Sequence, residues 1–293
     1  YTVWLLDKNE IKKTIVKNYH ELLYREPDLD GFNYYYSSIL DKKISIDDVS
    51  SIIKQSEEYK TISKKKEEFD VNFFEKKIYS QFGEDGAINF IFSVIGYTNQ
   101  FFVEIGVGDG TECNTRNLLE NSWKGIMIDT IENNSAFIKK EHVIAENVNN
   151  ILEKYNVPKE IDLLSIDIDF NDYWVWKAIT VTKPRVVVIE YNSTFPPDVS
   201  KVVDYDPEGG ATWTSYYGAS LLAYTKLGKS KGYDLVACEN AGVNAFFILH
   251  DEVVRHKINL KDIKEIYRPP KYGDVWDGVP RGWALNRREM SDI

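Results

Sequence analysis

The sequence predicts an α/β protein: a mostly parallel sheet of seven strands, the last one antiparallel, preceded by a small all-helical unit. Three observations carry that expectation. From about residue 76 onward, short and near-continuously apolar runs recur, as strands buried on both faces should. The first five runs are separated by helix-sized intervals, which demand crossover connections and therefore parallel strands. Only Asn240 to Val243 separates the last two, a gap too short for a crossover, so these two should pair as a hairpin.

The N-terminal part, residues 1–62, reads as helices. Ile11, Ile15, Tyr19, Leu22 and Leu23 fall at helical spacing before Pro27-Asp28 breaks the pattern. A second helix follows in LDGFNYYYSSIL, with Asp30 as its cap, and Ser45 before Ile46-Asp47-Asp48 starts a third. LYREPD, the Asp-Gly before an aromatic helix and the closing SEEY resemble a small helical module of unknown function found in bacterial surface and glycan-related proteins. A plain helical spacer explains the same pattern. Residues 63–75 are mostly charged and read as a linker, leaving 76–293 as the α/β domain. Its strands are expected at 101–105, 125–129, 143–148, 162–169, 185–191, 233–239 and 244–250.

Composition narrows the class. The 293 residues are 43% hydrophobic and 28% charged, enough for a sizeable core. No apolar run approaches the roughly 18 residues of a membrane span. The chain opens YTVWLLDKNE, without a basic segment or an initiator Met, so we expect no signal peptide and a piece of a longer protein. A formal charge of −10 argues against nucleic acid as partner. The one dense basic run, Lys64 to Lys66, is followed by Glu67-Glu68 and reads as a solvated helix face. Two cysteines exclude a disulfide framework and point to a cytoplasmic location, and the four histidines form no zinc-site pair.

The sharpest motif is FFVEIGVGDGTECNTRNLLE. Glu104 ends a strand, and Gly106, Gly108 and Gly110 follow at two-residue spacing before a helix. Glycines there let the backbone approach a ligand, and the acid accepts hydrogen bonds from its donors. The next strand ends in Asp129, where a carboxylate binds both hydroxyls of a ribose. Nucleoside binding is the expectation; a purely structural loop is the alternative.

These segments, with YSQFGEDGAINFIF, IDLLSIDIDFNDYWVWKAI and PRVVVIEYN, resemble FkbM-type or closely related S-adenosylmethionine-dependent methyltransferases across residues 76–250. The resemblance implies a Rossmann-like class I methyltransferase sheet, whose strand pattern ends in just such a hairpin. It implies that Glu104, Gly106 and Gly108 hold the methionine part of the cofactor and Asp129 the ribose. It further implies that Gln81, and with it Glu84, lines the cofactor site, and that Asn147 and Asn149 face the adenine. Asp109 and Glu112 make this loop more acidic than the family's usual pattern.

LLSIDIDFND places Asp167, Asp169 and Asp172 at one strand end, and VVVIEYN places Glu190 and Asn192 at the next. Adjacent strands would bring these groups together beside the cofactor. Clustered carboxylates share a proton or bind a cation, and all-oxygen ligands suit Mg²⁺, Mn²⁺ or Ca²⁺. We therefore take Asp167 and Asp169 as catalytic candidates and Asp167, Asp169, Glu190 and Asn192 as a candidate metal set. Helix capping by the acids is the alternative. The same DxD string also fits a metal-dependent nucleotide-sugar glycosyltransferase.

The 193–219 interval is expected to be a long loop whose Trp213, Tyr216 and Tyr217 stack on a sugar and whose Asp204, Asp206 and Thr214 take its hydroxyls; packing on the core is the alternative. Trp174, Trp176 and Cys113 read as core. The tail is expected to wrap the domain in extended form, with Arg281, Arg287 and Arg288 available to an anionic acceptor. The leading expectation is an enzyme that O-methylates a sugar, glycan or other polar small molecule. A non-catalytic cofactor-binding scaffold is the competing class.

Overall fold

A computed structural model describes residues 7–131, 137–273, 275, 276, 279, 280 and 282–293. The chain divides into two compact units, Tyr1–Asp70 and Val71–Ile293.

Four helices make up the described part of the first unit: α1 (Lys8–Leu23), α2 (Leu29–Leu40), α3 (Asp48–Gln55) and α4 (Glu57–Glu67). Ile11, Ile15, Ile39, Val49 and Ile53 form its core. Asp28 rather than Asp30 caps α2, its side chain accepting from the Gly31 amide at 2.7 Å. Ser45 and Asp48 exchange hydrogen bonds at the start of α3, which is why a serine marks that helix. The division between the units falls inside the charged stretch 63–75, but most of that stretch belongs to helices and not to a linker. Residues 63–67 continue α4, because an exposed helix carries charge as readily as a linker does. Residues Val71–Phe74 form a 3-10 turn of the second unit, where the Phe74 ring stacks on Phe90 at 3.9 Å.

The second unit is built on a seven-stranded, mostly parallel sheet in a Rossmann-like arrangement. In chain order its strands are β1 (Phe101–Ile105), β2 (Lys124–Asp129), β3 (Ile138–Lys140), β4 (Glu160–Ile166) and β5 (Lys183–Glu190). A short β6 (Lys201–Val202) stands outside the sheet, and β7 (Tyr233–Cys238) and β8 (Asn244–Leu249) complete it. The spatial order is β3-β2-β1-β4-β5-β8-β7, with β8 antiparallel to both neighbours, as the short 240–243 turn requires. The order reverses between β1 and β4, so a crevice opens outside their carboxyl ends.

One strand differs from expectation. After the helices α5 (Glu84–Ile95) and α6 (Arg116–Glu120), the apolar run 143–148 is not β3; it is a turn leading into α7 (Val148–Lys154), closed by the Asn147 side chain on Ile144 N and His142 O. Val143 and Val148 are apolar because they pack on the core, not because they pair. The true β3 is a three-residue edge strand, Ile-Lys-Lys, whose open side admits lysines and so hides it from a search for apolar runs.

Opposite ends of β4 and β5 are chemically different. At their start Arg185 bridges Asp162 at 2.9 Å and Glu252 at 3.1 Å, all three buried. Asp162 also accepts the amides of Thr98, Asn99 and Gln100. At their finish stand Asp167 and Glu190. Among the described residues no helix is long and apolar enough to cross a membrane.

Candidate ligand-binding site

A cavity of about 720 Å³ lies at the carboxyl ends of β1, β2 and β4, where the strand order reverses. That volume suits a nucleoside-sized ligand. The loop after β1 supplies one wall. Gly106 has φ +87, and a Cβ there would sit 1.6 Å from the Asp167 carbonyl oxygen, so only glycine lets β1 and β4 end this close. Gly108 has φ +55 and open space where a Cβ would point, which leaves the loop backbone bare toward the cavity.

Two carboxylates hold that loop. Glu104, 3% exposed, accepts the amides of Asn114 and Thr115 at 2.7 and 3.0 Å and the Thr115 hydroxyl at 2.5 Å. Burial nonetheless pushes its pKa up. Its oxygens are committed to the loop, so Glu104 lines the cavity chiefly as a builder of the turn. Asp129 accepts the Gly108 amide at 2.7 Å and the Ile131 amide at 2.9 Å, and it keeps outward lone pairs at the cavity edge. Asp109 folds back on Thr111, and Glu112 pairs with Lys77 at 2.6 Å, so the loop's added acids are locally engaged.

The segment 77–85 is a turn wound around one carboxylate. Asp85 accepts the amides of Ile78, Tyr79 and Ser80 at 2.7–2.8 Å, which presents Gln81 to the cavity. Glu84 does not reach the cavity wall; it is fully buried, holding Phe82 N, Gly83 N and the Asn244 amide.

The acids after β4 and β5 do converge. One oxygen from each of Asp167, Asp169 and Glu190 lies within 4.8 Å of the others. Burial, then Asp172 and Asp169, raises the pKa of Asp167 well above the usual range; burial, then Asp167 and Asp172, does the same for Glu190. Asp172 is pushed up to about 7 by burial, although the Ile168 amide bonds its carboxylate. Asp169 stands exposed at the rim with φ +64, a left-handed conformation that Asp tolerates better than most residues.

Several expectations fail here. Asn149 is not in the cavity wall: its amide spans Ala178 O and the Thr180 and Val181 amides, tying α7 to the loop after α8 (Asp172–Ala178). Asn147 closes the turn before α7 instead of facing a ligand. Asn192 does not join the acid group: its amide holds Ser215 O, Tyr217 O and Thr194 N and so fixes the long loop. A buried Asn satisfied by a loop is indistinguishable in sequence from one held for a metal.

The 193–219 loop also departs from the sugar-binding expectation. Tyr216 and Tyr217 are buried, Asp204 anchors Ser291, Tyr216 and Arg288, and Thr214 bonds Thr212 and Asn286. Asp206 turns back onto Glu208 N, while Trp213 is 67% exposed. Residues 208–211 nevertheless line the cavity, held there by Asn171 on Asp206 O and His142 on Pro207 O. Arg288 lies on the Tyr216 ring, Arg287 is exposed, and Arg281 lies outside the described residues. Trp174 and Trp176 pack in the core, and burial pushes the Cys113 thiol up, as suits a packing residue.

Two asparagines escaped the sequence reading. Asn171 and Asn244 both line the cavity, are 3% and 2% exposed, and keep a side-chain carbonyl oxygen without a partner. An Asn opening the otherwise apolar strand NAFFIL was the available signal for the second. Eight lining residues carry carboxylates, among them Glu104, Asp129, Glu141, Asp167 and Asp169, and none of the described lining residues is Lys or Arg. A scan of protein-family models and a search of curated proteins returned no match to this chain.

Proposed function

We propose that the chain is an S-adenosylmethionine-dependent methyltransferase of the class I kind, acting on a hydroxyl of a sugar or similar polar metabolite. One observation carries the reading: the glycine-loop cavity has a wall of acceptors, with carboxylates and two orphaned amide carbonyls but no Lys or Arg among its described residues. Such a wall suits a cationic ligand rich in hydroxyl and amine donors. A glycosyltransferase reading of the Asp167–Asp169 string leaves the glycine loop after β1 and the β7–β8 hairpin unexplained, which favours methyl transfer.

When bound, S-adenosylmethionine supplies a methyl group that passes to the acceptor oxygen while the electron pair of its C–S bond stays on sulfur. The protein's part is positioning and proton handling. The bare backbone at Gly106 and Gly108 lets the ligand lie against the loop. Asp129, already oriented by two amides, takes the ribose hydroxyls. Asn171 and Asn244 accept from amine groups, and residues 208–211 cover the site from the solvent side. Asp167 receives the acceptor's hydroxyl proton, because its raised proton affinity makes its ionised form a stronger base than an ordinary carboxylate.

The test is transfer of labelled methyl from S-adenosylmethionine into a mixed polar-metabolite extract. Wild-type protein should label an acceptor, and Asp167→Ala should lower the rate by about 10²–10⁴-fold, the range for loss of a general base. Equal labelling by both proteins would remove Asp167 from the reaction. No labelling by folded wild type would count against the enzyme reading.

A further inference from the structure

We propose that Asp167, Asp169 and Glu190 form a binding site for one hard divalent cation, Mg²⁺, Mn²⁺ or Ca²⁺, at the carboxyl ends of β4 and β5. The three carboxylates offer oxygens within 4.8 Å of one another, a spacing at which a single ion reaches all three at its usual 2.0–2.6 Å bond lengths. Acid clusters alone are common, so the argument rests on what surrounds this one. Glu190 is 9% exposed, and its Oε2 has no hydrogen-bond partner among the described residues. Asp172, wholly buried, leaves its Oδ2 without one among them as well. Two buried carboxylate oxygens without donors at one strand end are a costly arrangement unless a cation completes it.

The charged groups acting on Glu190 are Asp167, Asp172 and Asp169, every one an acid. Among the described residues no guanidinium or ammonium does here what Arg185 does at the other end of the same strands. Oxygen-only ligands select a hard ion over zinc or copper. Asp169 stands exposed at the rim, which gives the ion a way in. Three protein oxygens leave further coordination positions for water or an acceptor hydroxyl, and an ion there would lower the pKa of that hydroxyl. This last step alone rests on the methyltransferase reading; the ion site does not.

The 293-residue chain, stripped with chelator and dialysed, should be titrated with Mn²⁺ while free ion is read by electron paramagnetic resonance. We expect one ion per chain, a rise in melting temperature on Mn²⁺ addition, and at least tenfold weaker binding in Asp169→Asn and in Glu190→Gln. Asn also tolerates the left-handed backbone at position 169, so that variant retains the fold. A folded wild type that binds no Mn²⁺ would overturn the site, as would unchanged affinity in both variants. A parallel titration of S-adenosylhomocysteine in chelator separates the two readings. Mn²⁺ binding without nucleoside binding upholds the ion site while the methyltransferase reading falls. The reverse result overturns the site alone.

Discussion

Near the start of β4 and β5 stand Asp162 and Arg185, at their finish Asp167, just past β4, and Glu190, and the two ends behave in opposite ways. At the start, Arg185 joins Asp162 and Glu252, and loop amides complete Asp162. Every charge has an opposite neighbour, and nothing is left over for a ligand. At the finish, Asp167 and Glu190 face further acids, and buried oxygens stand without partners. The same sheet therefore separates a structural, charge-matched end from an unmatched one. What distinguishes them is not burial, which both share, but whether the buried charge is matched.

The largest effect should come from unmatching the structural end. Arg185→Met leaves Asp162 buried without a cation, while Glu252 keeps Arg255 at 3.1 Å, and chemical denaturation should show a loss of about 3–5 kcal/mol. A loss under ~1 kcal/mol would erase the contrast. At the unmatched end the sign reverses. Asp167→Asn combined with Glu190→Gln removes like charges while keeping shape, so in chelator the melting temperature should hold or rise, by about 1 kcal/mol at most.

A pH-dependent effect sharpens the comparison. Asp172 is pushed up to about 7, whereas an unfolded Asp titrates near 3.9. The folded state thus binds the proton more tightly, and this stabilisation is complete below about pH 4 and lost as pH rises through 7. Relative to Asp172→Asn, metal-free wild type should lose stability between pH 4 and 7. Glu239, also pushed up to about 7, titrates in both proteins and so cancels in that difference. A pH-independent difference would mean that the Asp172 environment is not acidic.

Much of this was legible in the sequence. The alternation of apolar runs and helix-sized gaps gave the parallel sheet, and the short 240–243 turn gave its antiparallel partner. Glu104, Gly106, Gly108, Asp129, Asp167 and Asp169 all line one cavity because strand ends of a parallel sheet must share one edge. What stayed hidden depended on tertiary context. Ile-Lys-Lys serves as an edge strand because only one side of it is paired. Asn149 and Asn192 looked like ligand groups yet satisfy backbone, whereas Asn171 and Asn244 looked ordinary yet leave a carbonyl oxygen unused. Tyr216 and Tyr217 illustrate the same limit, since an aromatic in a long loop reads alike whether it stacks on a sugar or fills a small core with Phe170 and Met290.

The central claim is that the cavity's acceptor wall recognises S-adenosylmethionine, and calorimetric titration of that compound into the full chain in chelator tests it most directly. Saturable one-to-one binding is expected, weakened by about 1–3 kcal/mol in Asp129→Asn, which loses the charged partner of the ribose and keeps an acceptor for only one of the two loop amides. Uridine diphosphate glucose should give no binding heat, in chelator or with Mn²⁺ present. Binding of the diphosphate sugar, with no heat from S-adenosylmethionine on well-folded protein, would contradict the claim.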